Sequence, residues 1–173
     1  KCGFDNINTD LIAGLPTDTP ESFKNSLDSI VRLNAECITV HTLCMKRASR
    51  LTTEGVTLDL QQARDAREML AYTQNILGQN EYIPYYMYRQ SRMVGNLENV
   101  GWSKKGFESL YNVYVMDETH TILACGSGGV TKLKRNNPDY LERIFNFKYP
   151  YEYIDRFDEL IQRKSGIMQF YGQ

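Results

Sequence analysis

A carboxylate inside an otherwise apolar segment is the most distinctive chemical feature of this sequence. Asp10 lies in Asn6–Ile12, which is predicted to be a buried strand and which leads into a Gly14–Pro16 turn. Burial of a carboxylate is costly unless a ligand or a fixed donor satisfies it. Because α/β proteins place ligands near the carboxyl ends of such strands, Asp10 is a candidate ligand-binding residue. The alternative is a structural Asp that holds the loop together.

Cysteine and histidine spacing predicts no metal site. No CxxC or CxxxCxxC run occurs, and the two histidines are not spaced as ligands on one helix face, so neither a zinc nor an iron–sulfur cage is expected. Each cysteine has apolar neighbours and is expected to be a buried, reduced thiol. His41 is interpreted as a core or cleft histidine rather than a catalytic base. The residues concerned are Cys2, Cys37, Cys44, Cys125, His41 and His120.

Composition and charge exclude several other functions. The 173 residues suit one domain, or one domain and a small appendage, and the 42% hydrophobic content is ample for a core. A net charge of -1, with only Lys132–Arg135 as a basic run, predicts no nucleic-acid partner. We expect no membrane span, no signal peptide at Lys1–Gly3, and a cytoplasmic location.

The elements around Asp10 are predicted to form a βαβ unit. Thr19 is a suitable N-cap for a helix over Pro20–Leu33, whose apolar stripe would lie on a sheet. A second buried strand is predicted over Cys37–Leu43, parallel to the first. The loop Cys44–Leu51 then leaves the same end of the sheet as the turn after Asp10.

The remaining chain is predicted to mix helices and strands. A helix capped by Asp59 spans Leu60–Leu77 and ends at Gly78; an aromatic strand, Tyr82–Tyr88, follows with Pro84 at an edge or bulge. Next come a predicted long loop over Arg89–Leu110 and a β-hairpin of Tyr111–Met116 and Thr121–Cys125. A glycine turn over Gly126–Thr131 and a strand over Arg143–Phe147 follow. The last predicted element is a helix over Pro150–Lys164, with Ile154, Phe157, Leu160 and Ile161 facing inward.

Five short blocks in this order resemble the oxygen-independent coproporphyrinogen III oxidases (coproporphyrinogen dehydrogenases) and related radical S-adenosylmethionine (radical SAM) proteins. The blocks are Asp10–Pro16, Thr19–Phe23, Tyr86–Gln90, Gly95–Gly101 and Gly126–Lys132. The first block is shared across the wider family, and the blocks between Tyr86 and Gly101 point to a coproporphyrinogen-dehydrogenase-like subgroup.

The resemblance implies an α/β fold, namely the carboxyl-terminal part of a partial (β/α)6 barrel with an appended α+β region that contains a β-hairpin. Residues 1–80 would belong to the barrel and residues 81–173 to the appended region. The family holds a [4Fe–4S] cluster through a CxxxCxxC motif that does not occur here. We therefore expect a fragment of a longer protein that is inactive without its missing amino-terminal half.

The resemblance also implies site residues. Asp10, Cys44 and Val130 match positions that contact S-adenosylmethionine, although the family commonly has a smaller residue at Cys44. The three are expected to meet at one rim of the sheet. The long loop is expected to bind substrate propionates, and Tyr86 and Tyr88 could line a macrocycle pocket; solvated loop charges and packed tyrosines are the alternatives. No residue is assigned a catalytic role. The loop residues are Arg89, Arg92, Asn96 and Asn99.

The implied activity of the intact protein is oxidative decarboxylation of porphyrinogen propionates to vinyl groups in haem biosynthesis. In the family this proceeds by reductive cleavage of S-adenosylmethionine to a radical that abstracts a substrate hydrogen. One alternative is a haem chaperone or porphyrin-binding protein without oxidase activity, and another is an α/β interaction module. An unpaired edge at Asn6–Ile12 would also favour self-association.

Overall fold

The computed structural model describes residues 2–45, 59–90, 93–136 and 139–172. They form two compact units, Lys1–Leu110 and Tyr111–Gln173. The elements in chain order are β1 (Asn8–Ala13), α1 (Pro20–Leu33), β2 (Cys37–Thr42), α2 (Leu60–Gln79), β3 (Ile83–Tyr88), a 3-10 turn (Val94–Asn96), β4 (Asn99–Ser103), α3 (Leu110–Asp117), β5 (Val130–Asn136), β6 (Asp139–Phe145), α4 (Pro150–Asp155), α5 (Phe157–Lys164) and α6 (Gly166–Tyr171). The boundary between these compact units does not test the predicted boundary at residue 80 between the barrel and the appended region, which stays a prediction.

The first unit contains a mixed four-stranded sheet with the order β1-β2-β4-β3. The β1 and β2 strands are parallel, and β4 is antiparallel to both of its neighbours. The predicted βαβ unit is therefore confirmed. The prediction for Pro84 is also confirmed, because β3 lies at the sheet edge and its register shifts between Pro84 and Tyr86.

Local sequence signals determine where the two long helices begin. The Thr19 side chain accepts a hydrogen bond from the backbone amide of Ser22, and α1 starts at Pro20 as predicted. Asp59 and Gln62 form a capping box at the start of α2. This helix ends at Gln79 rather than at the predicted Gly78.

The core of the first unit lies between the two long helices and one face of the sheet. Phe23 and Leu27 of α1 and Met69 of α2 are almost fully buried against Ile38 and Val40 of β2. The turn after β1 is tied to this core, since Gly14 adopts a φ of 82° and its amide donates to the Met69 sulfur at 3.3 Å. A Cβ at position 14 would lie 3.2 Å from the Ala66 side chain.

The predicted long loop over Arg89–Leu110 is wrong, because it contains a central strand of the sheet. The β4 strand lies between β2 and β3 and has four of its five residues buried. Its sequence includes Asn99 and Gly101, which have low strand propensity. Pairing with neighbours on both sides outweighs that local preference.

The second unit also differs from the predicted hairpin. The residues from Leu110 to Asp117 form α3 instead of a strand, and in the segment Thr121–Cys125 only Ile122 makes an isolated bridge, to Lys132. The hairpin of this unit is β5-β6, so the predicted strand over Arg143–Phe147 begins earlier, at Asp139. A short segment of mostly apolar and aromatic residues does not distinguish a helix from a strand by its period, which explains the error.

The predicted final helix, Pro150–Lys164, is interrupted at Arg156 and forms α4 and α5, and a further short helix, α6, follows after Ser165. Of the four side chains predicted to face inward, Leu160 is buried and the other three are exposed: Ile154, Phe157 and Ile161. The guanidinium groups of Arg156 and Arg163 lie 4.2 and 4.1 Å from the centre of the Phe147 ring. Glu159 forms ion pairs with both.

The predicted glycine turn is stabilised by its own backbone and by neighbouring side chains. The amide of Gly128 donates to the Phe147 carbonyl at 2.7 Å, and that of Gly129 donates to the Gly126 carbonyl at 3.3 Å. The Gly126 amide donates to the Tyr153 hydroxyl at 3.2 Å. These three amides are engaged internally, so they do not form an open anion cradle.

Glu118 joins the end of α3 to both strands of the hairpin. Its carboxylate accepts hydrogen bonds from Lys132 and Arg143, each at 2.8 Å, and these two residues are directly opposite in the β5-β6 ladder. The hydrogen bond from Lys132 is the main cause that lowers the pKa of Glu118 below its ordinary value of 4.5. The contribution of the ionised Glu118 to stability is therefore fully present above about pH 4.5, and it is lost as the pH falls through the lowered pKa of Glu118.

We therefore expect Lys132→Met to raise the pKa of Glu118 towards 4.5. A carboxyl-carbon NMR titration of Glu118 measures this, and Lys148→Met is the control because Lys148 has no ion pair among the described residues. An unchanged Glu118 titration in Lys132→Met would contradict the assignment.

Candidate functional site

The two faces of the four-stranded sheet differ in chemistry. Successive residues of a strand point to opposite faces, so the partners Asp10 and Thr39 share a face that Ile38 and Val40 do not. The helices cover the second face. We call the first the polar face; its members are Asn8, Asp10, Thr39, His41, Tyr86, Tyr88 and Asn99.

A chain of hydrogen bonds runs across the polar face to Asp10. The Thr39 hydroxyl donates to Asn8 Oδ1 at 3.1 Å, and Asn8 Nδ2 donates to Asp10 Oδ1 at 2.8 Å. The hydroxyls of Tyr86 and Thr39 are 3.3 Å apart. Because the Thr39 proton is used on Asn8, Tyr86 donates to Thr39, and all three bonds point towards the carboxylate.

His41 approaches the same carboxylate from a second direction. Its Nε2 lies 3.9 Å from Asp10 Oδ1, which is longer than a hydrogen bond. Its Nδ1 lies 3.4 Å from the Tyr88 hydroxyl, and the two rings meet edge to face. If Tyr88 donates to Nδ1, the imidazole carries its proton on Nε2, which faces Asp10.

Burial controls the protonation of the two tyrosines. Desolvation is the largest cause that raises the pKa of Tyr86 and of Tyr88 above the ordinary value of 10.0. Asp10 adds to the shift of both through its negative charge. Both hydroxyls therefore stay protonated at neutral pH and can donate hydrogen bonds.

Gly101 permits the position of the Tyr86 ring. The ring crosses β4 on its way to Thr39, and a Cβ built on Gly101 would lie 1.8 Å from a Tyr86 ring atom. The Tyr86 and Tyr88 rings are nearly parallel, at 6°, with centres 6.4 Å apart. The absent side chain at position 101 thus allows two tyrosine rings to cover the strand.

The expectation that Asp10 is buried is wrong. Its side chain is 59% exposed, because β1 is an edge strand and Asp10 lies on the face that the helices do not cover. Solvent and the Asn8 amide both stabilise the Asp10 carboxylate, so it carries little desolvation cost. The argument that a buried carboxylate requires a ligand therefore does not apply. Its availability to a ligand follows from exposure instead.

Cys44 and Val130 lie in different units. Cys44 follows β2, is half-buried, and forms an isolated bridge with Met93. Val130 is the first residue of β5 in the second unit, opposite Phe145. The expected meeting of Asp10, Cys44 and Val130 at one rim remains a prediction, as do their contacts with a cofactor. Cys37 is buried while Cys2 and Cys125 are exposed, so the expectation that the cysteines are buried is wrong for those two.

Of the four residues proposed for substrate propionates, the structure describes three, and two of these, Arg89 and Asn96, line the same cavity between α2 and the sheet. Arg89 pairs with Glu98 at 2.6 Å, and Asn96 ends the 3-10 turn with a φ of 60°. Asn99 is buried in β4, where its Oδ1 accepts a hydrogen bond from the Thr42 amide at 2.7 Å. Arg92 lies outside the described residues. Their role in binding is untested.

Sequence reasoning did not connect His41, Thr39 and Asn8 to Asp10. The parallel register that places Asp10 beside Thr39, and Ile12 beside His41, carries this information. The available signal was the alternate spacing of Asn8 and Asp10 in β1 and of Thr39 and His41 in β2. Strand alternation would have placed all four on one face.

The polar face can bind a ligand that offers hydroxyl or amino groups. The carboxylate accepts hydrogen bonds and the tyrosine hydroxyls donate them. Across the described ranges no group of three or more His, Cys, Asp or Glu residues is placed to hold a metal ion. No described helix is both long and apolar enough to cross a bilayer.

Gly101→Ala should disturb the polar face because the new methyl group collides with the Tyr86 ring. We expect it to lower the free energy of unfolding by roughly 1–3 kcal/mol, typical of overpacking, and to cost less in a Tyr86→Ala background. Urea denaturation of the four proteins of this cycle measures the coupling.

Gly78→Ala is the matched control. A Cβ at this position of α2 meets nothing within 4 Å, so the change should be neutral or stabilising by up to about 1 kcal/mol through helix propensity. Equal destabilisation by both alanines would contradict the role of Gly101.

Comparison with known proteins supplies a relationship that geometry alone does not. No protein-family model matches the chain. The chain is 37% identical over 167 residues to the oxygen-independent coproporphyrinogen-III oxidase-like protein HemZ of Bacillus subtilis (strain 168), covering 96% of this chain and 33% of HemZ.

The fold matches part of coproporphyrinogen III oxidase (HemN) from Escherichia coli, a radical SAM enzyme, with a TM-score of 0.58 and 18% identity. That match covers 91% of this chain and 35% of HemN. The chain thus spans about a third of each protein. An α/β chain with a mixed sheet and a β-hairpin, it is a relative of the oxygen-independent coproporphyrinogen-III oxidase-like proteins over that third of their length.

Proposed function

We propose that this chain is the distal part of a radical SAM protein that oxidatively decarboxylates porphyrinogen propionates, and that its sheet completes a partial (β/α) barrel. The 37% identity over nearly the whole chain is the observation that carries this proposal. The missing partner is then the amino-terminal part of the same protein, which would supply the cluster ligands. S-adenosylmethionine and a [4Fe–4S] cluster supply radical chemistry when they are bound there.

The polar face supports a place for S-adenosylmethionine. Asp10 presents an exposed carboxylate that is oriented by Asn8, and a carboxylate accepts hydrogen bonds from ribose hydroxyls or an amino group. Thr39 and Tyr86 hold Asn8 through the bonds described above. The chain's own contribution is to bind and orient the ligand, with Cys44 and Val130 as further proposed contacts.

Asp10→Ala in the longer protein tests the proposal. We expect the affinity for S-adenosylmethionine to fall about tenfold or more, the effect of losing a hydrogen bond to a charged group. Equilibrium dialysis of anaerobic, cluster-reconstituted protein measures binding. Asp5→Ala is the control, since Asp5 is exposed.

An oxidase assay of the same preparations distinguishes the second function. Formation of vinyl products from coproporphyrinogen supports the oxidase, whereas tight porphyrin binding without turnover would identify a haem chaperone. Full S-adenosylmethionine affinity in Asp10→Ala would contradict the role given to the polar face.

We also propose that β1 pairs with another strand. Its outer edge has no partner among the described strands, and Ile7 and Ile12 beside it are 47% and 42% exposed. Such an edge pairs readily with a further strand of a longer protein or a second copy. We expect this chain alone to self-associate in light scattering, and Ile12→Lys to reduce association by adding charge at the edge. A wild-type chain that is monomeric at high concentration would contradict this.

A further inference from the structure

The helix-covered side of the sheet contains a second cavity that the proposed function does not use. It has a volume of about 300 Å³, at the lower end of ligand cavities in proteins. Val40, Val100 and Trp102 line it from the sheet, and Leu70 and Ala71 line it from α2. Strand alternation places these sheet residues on the face opposite to Asp10 and His41.

Trp102 gives this cavity an unsatisfied donor. The residue is only 7% exposed, and its indole Nε1 has no hydrogen-bond partner among the described residues. A buried indole N–H ordinarily finds an acceptor, and leaving it unpaired costs stability.

The charges around the cavity favour an acidic ligand. Arg67 and Arg89 line it together with Glu98, so the charged lining has a net charge of +1. Arg89 is paired with Glu98, whereas Arg67 has no ion pair in the described parts of the chain. An exposed, unpaired guanidinium at a cavity with apolar walls is suited to a carboxylate.

We propose that this cavity binds a small amphipathic carboxylate, with its apolar body against Leu70, Val100 and Trp102 and its carboxylate towards Arg67. The site lies on the opposite side of the sheet from the polar face, and its lining includes Arg89 and Asn96, two of the residues expected to bind substrate propionates. The ligand class follows from two features together: the apolar walls and the exposed arginine, which has no ion pair in the described parts of the chain.

Trp102 is the only tryptophan of the chain, so its indole N–H signal reports on the cavity alone. The probe is 4-phenylbutyrate, and 4-phenylbutanol has the same apolar body without the charge. A ligand of about 12 non-hydrogen atoms is expected to bind with a Kd of the order of 1 mM. We expect 4-phenylbutyrate to shift the indole signal saturably in this range, in a titration of the whole chain followed by 1H–15N NMR.

Three variants test the assignment. Arg67→Gln should weaken 4-phenylbutyrate binding roughly three- to tenfold, the effect of an exposed charge-assisted hydrogen bond, and leave 4-phenylbutanol unaffected. Arg64→Gln is the matched control on the same helix, since Arg64 is exposed and does not line the cavity. Ala71→Phe should abolish binding by filling the space. No saturable shift, equal affinity for the acid and the alcohol, or unchanged binding in Ala71→Phe would each overturn the proposal.

Discussion

The alternation of side chains along β2 is the constraint on which both surfaces of the sheet depend. Ile38 and Val40 are fully buried against the helices, while Thr39 and His41 between and beyond them belong to the polar face. A shift of one residue in the β1-β2 register would exchange these two sets. The hydrophobic core therefore fixes the strand register, and this register determines which polar residues lie beside Asp10.

Gly101 links strand pairing to the same network. A central strand ordinarily loses stability at a glycine, which has no side chain to pack. Here the Tyr86 ring occupies the space over Gly101 and delivers its hydroxyl to Thr39. The Tyr86 ring of β3 thus supplies the packing that Gly101 of β4 lacks. The same ring places the Tyr86 hydroxyl within the hydrogen-bond chain of the polar face.

Sequence reasoning succeeded where a signal was local and failed where packing decided. Thr19 and Asp59 cap α1 and α2 through their own side chains, and both helices begin at the predicted residues. The β4 strand has no comparable local signal, since Asn99 and Gly101 disfavour a strand and only its two neighbours stabilise it. Likewise α3 has no buried residue and no amphipathic period by which a helix could be recognised. For the site, Asp10 was selected for the wrong reason, because its edge position was not apparent from its apolar neighbours.

The exposure of Asp10 changes what a functional role for it requires. A buried carboxylate would need a partner for stability alone, so finding it would say little about ligands. Asp10 is instead exposed, yet its orientation is restricted by Asn8 at 2.8 Å and influenced by His41 at 3.9 Å. A single hydrogen bond to an exposed carboxylate contributes little to folding, and the further bonds from Thr39 to Asn8 and from Tyr86 to Thr39 restrain its donor Asn8 rather than the carboxylate itself. What they do supply is a fixed direction for the carboxylate, and a fixed direction reduces the entropy that a ligand must lose on binding.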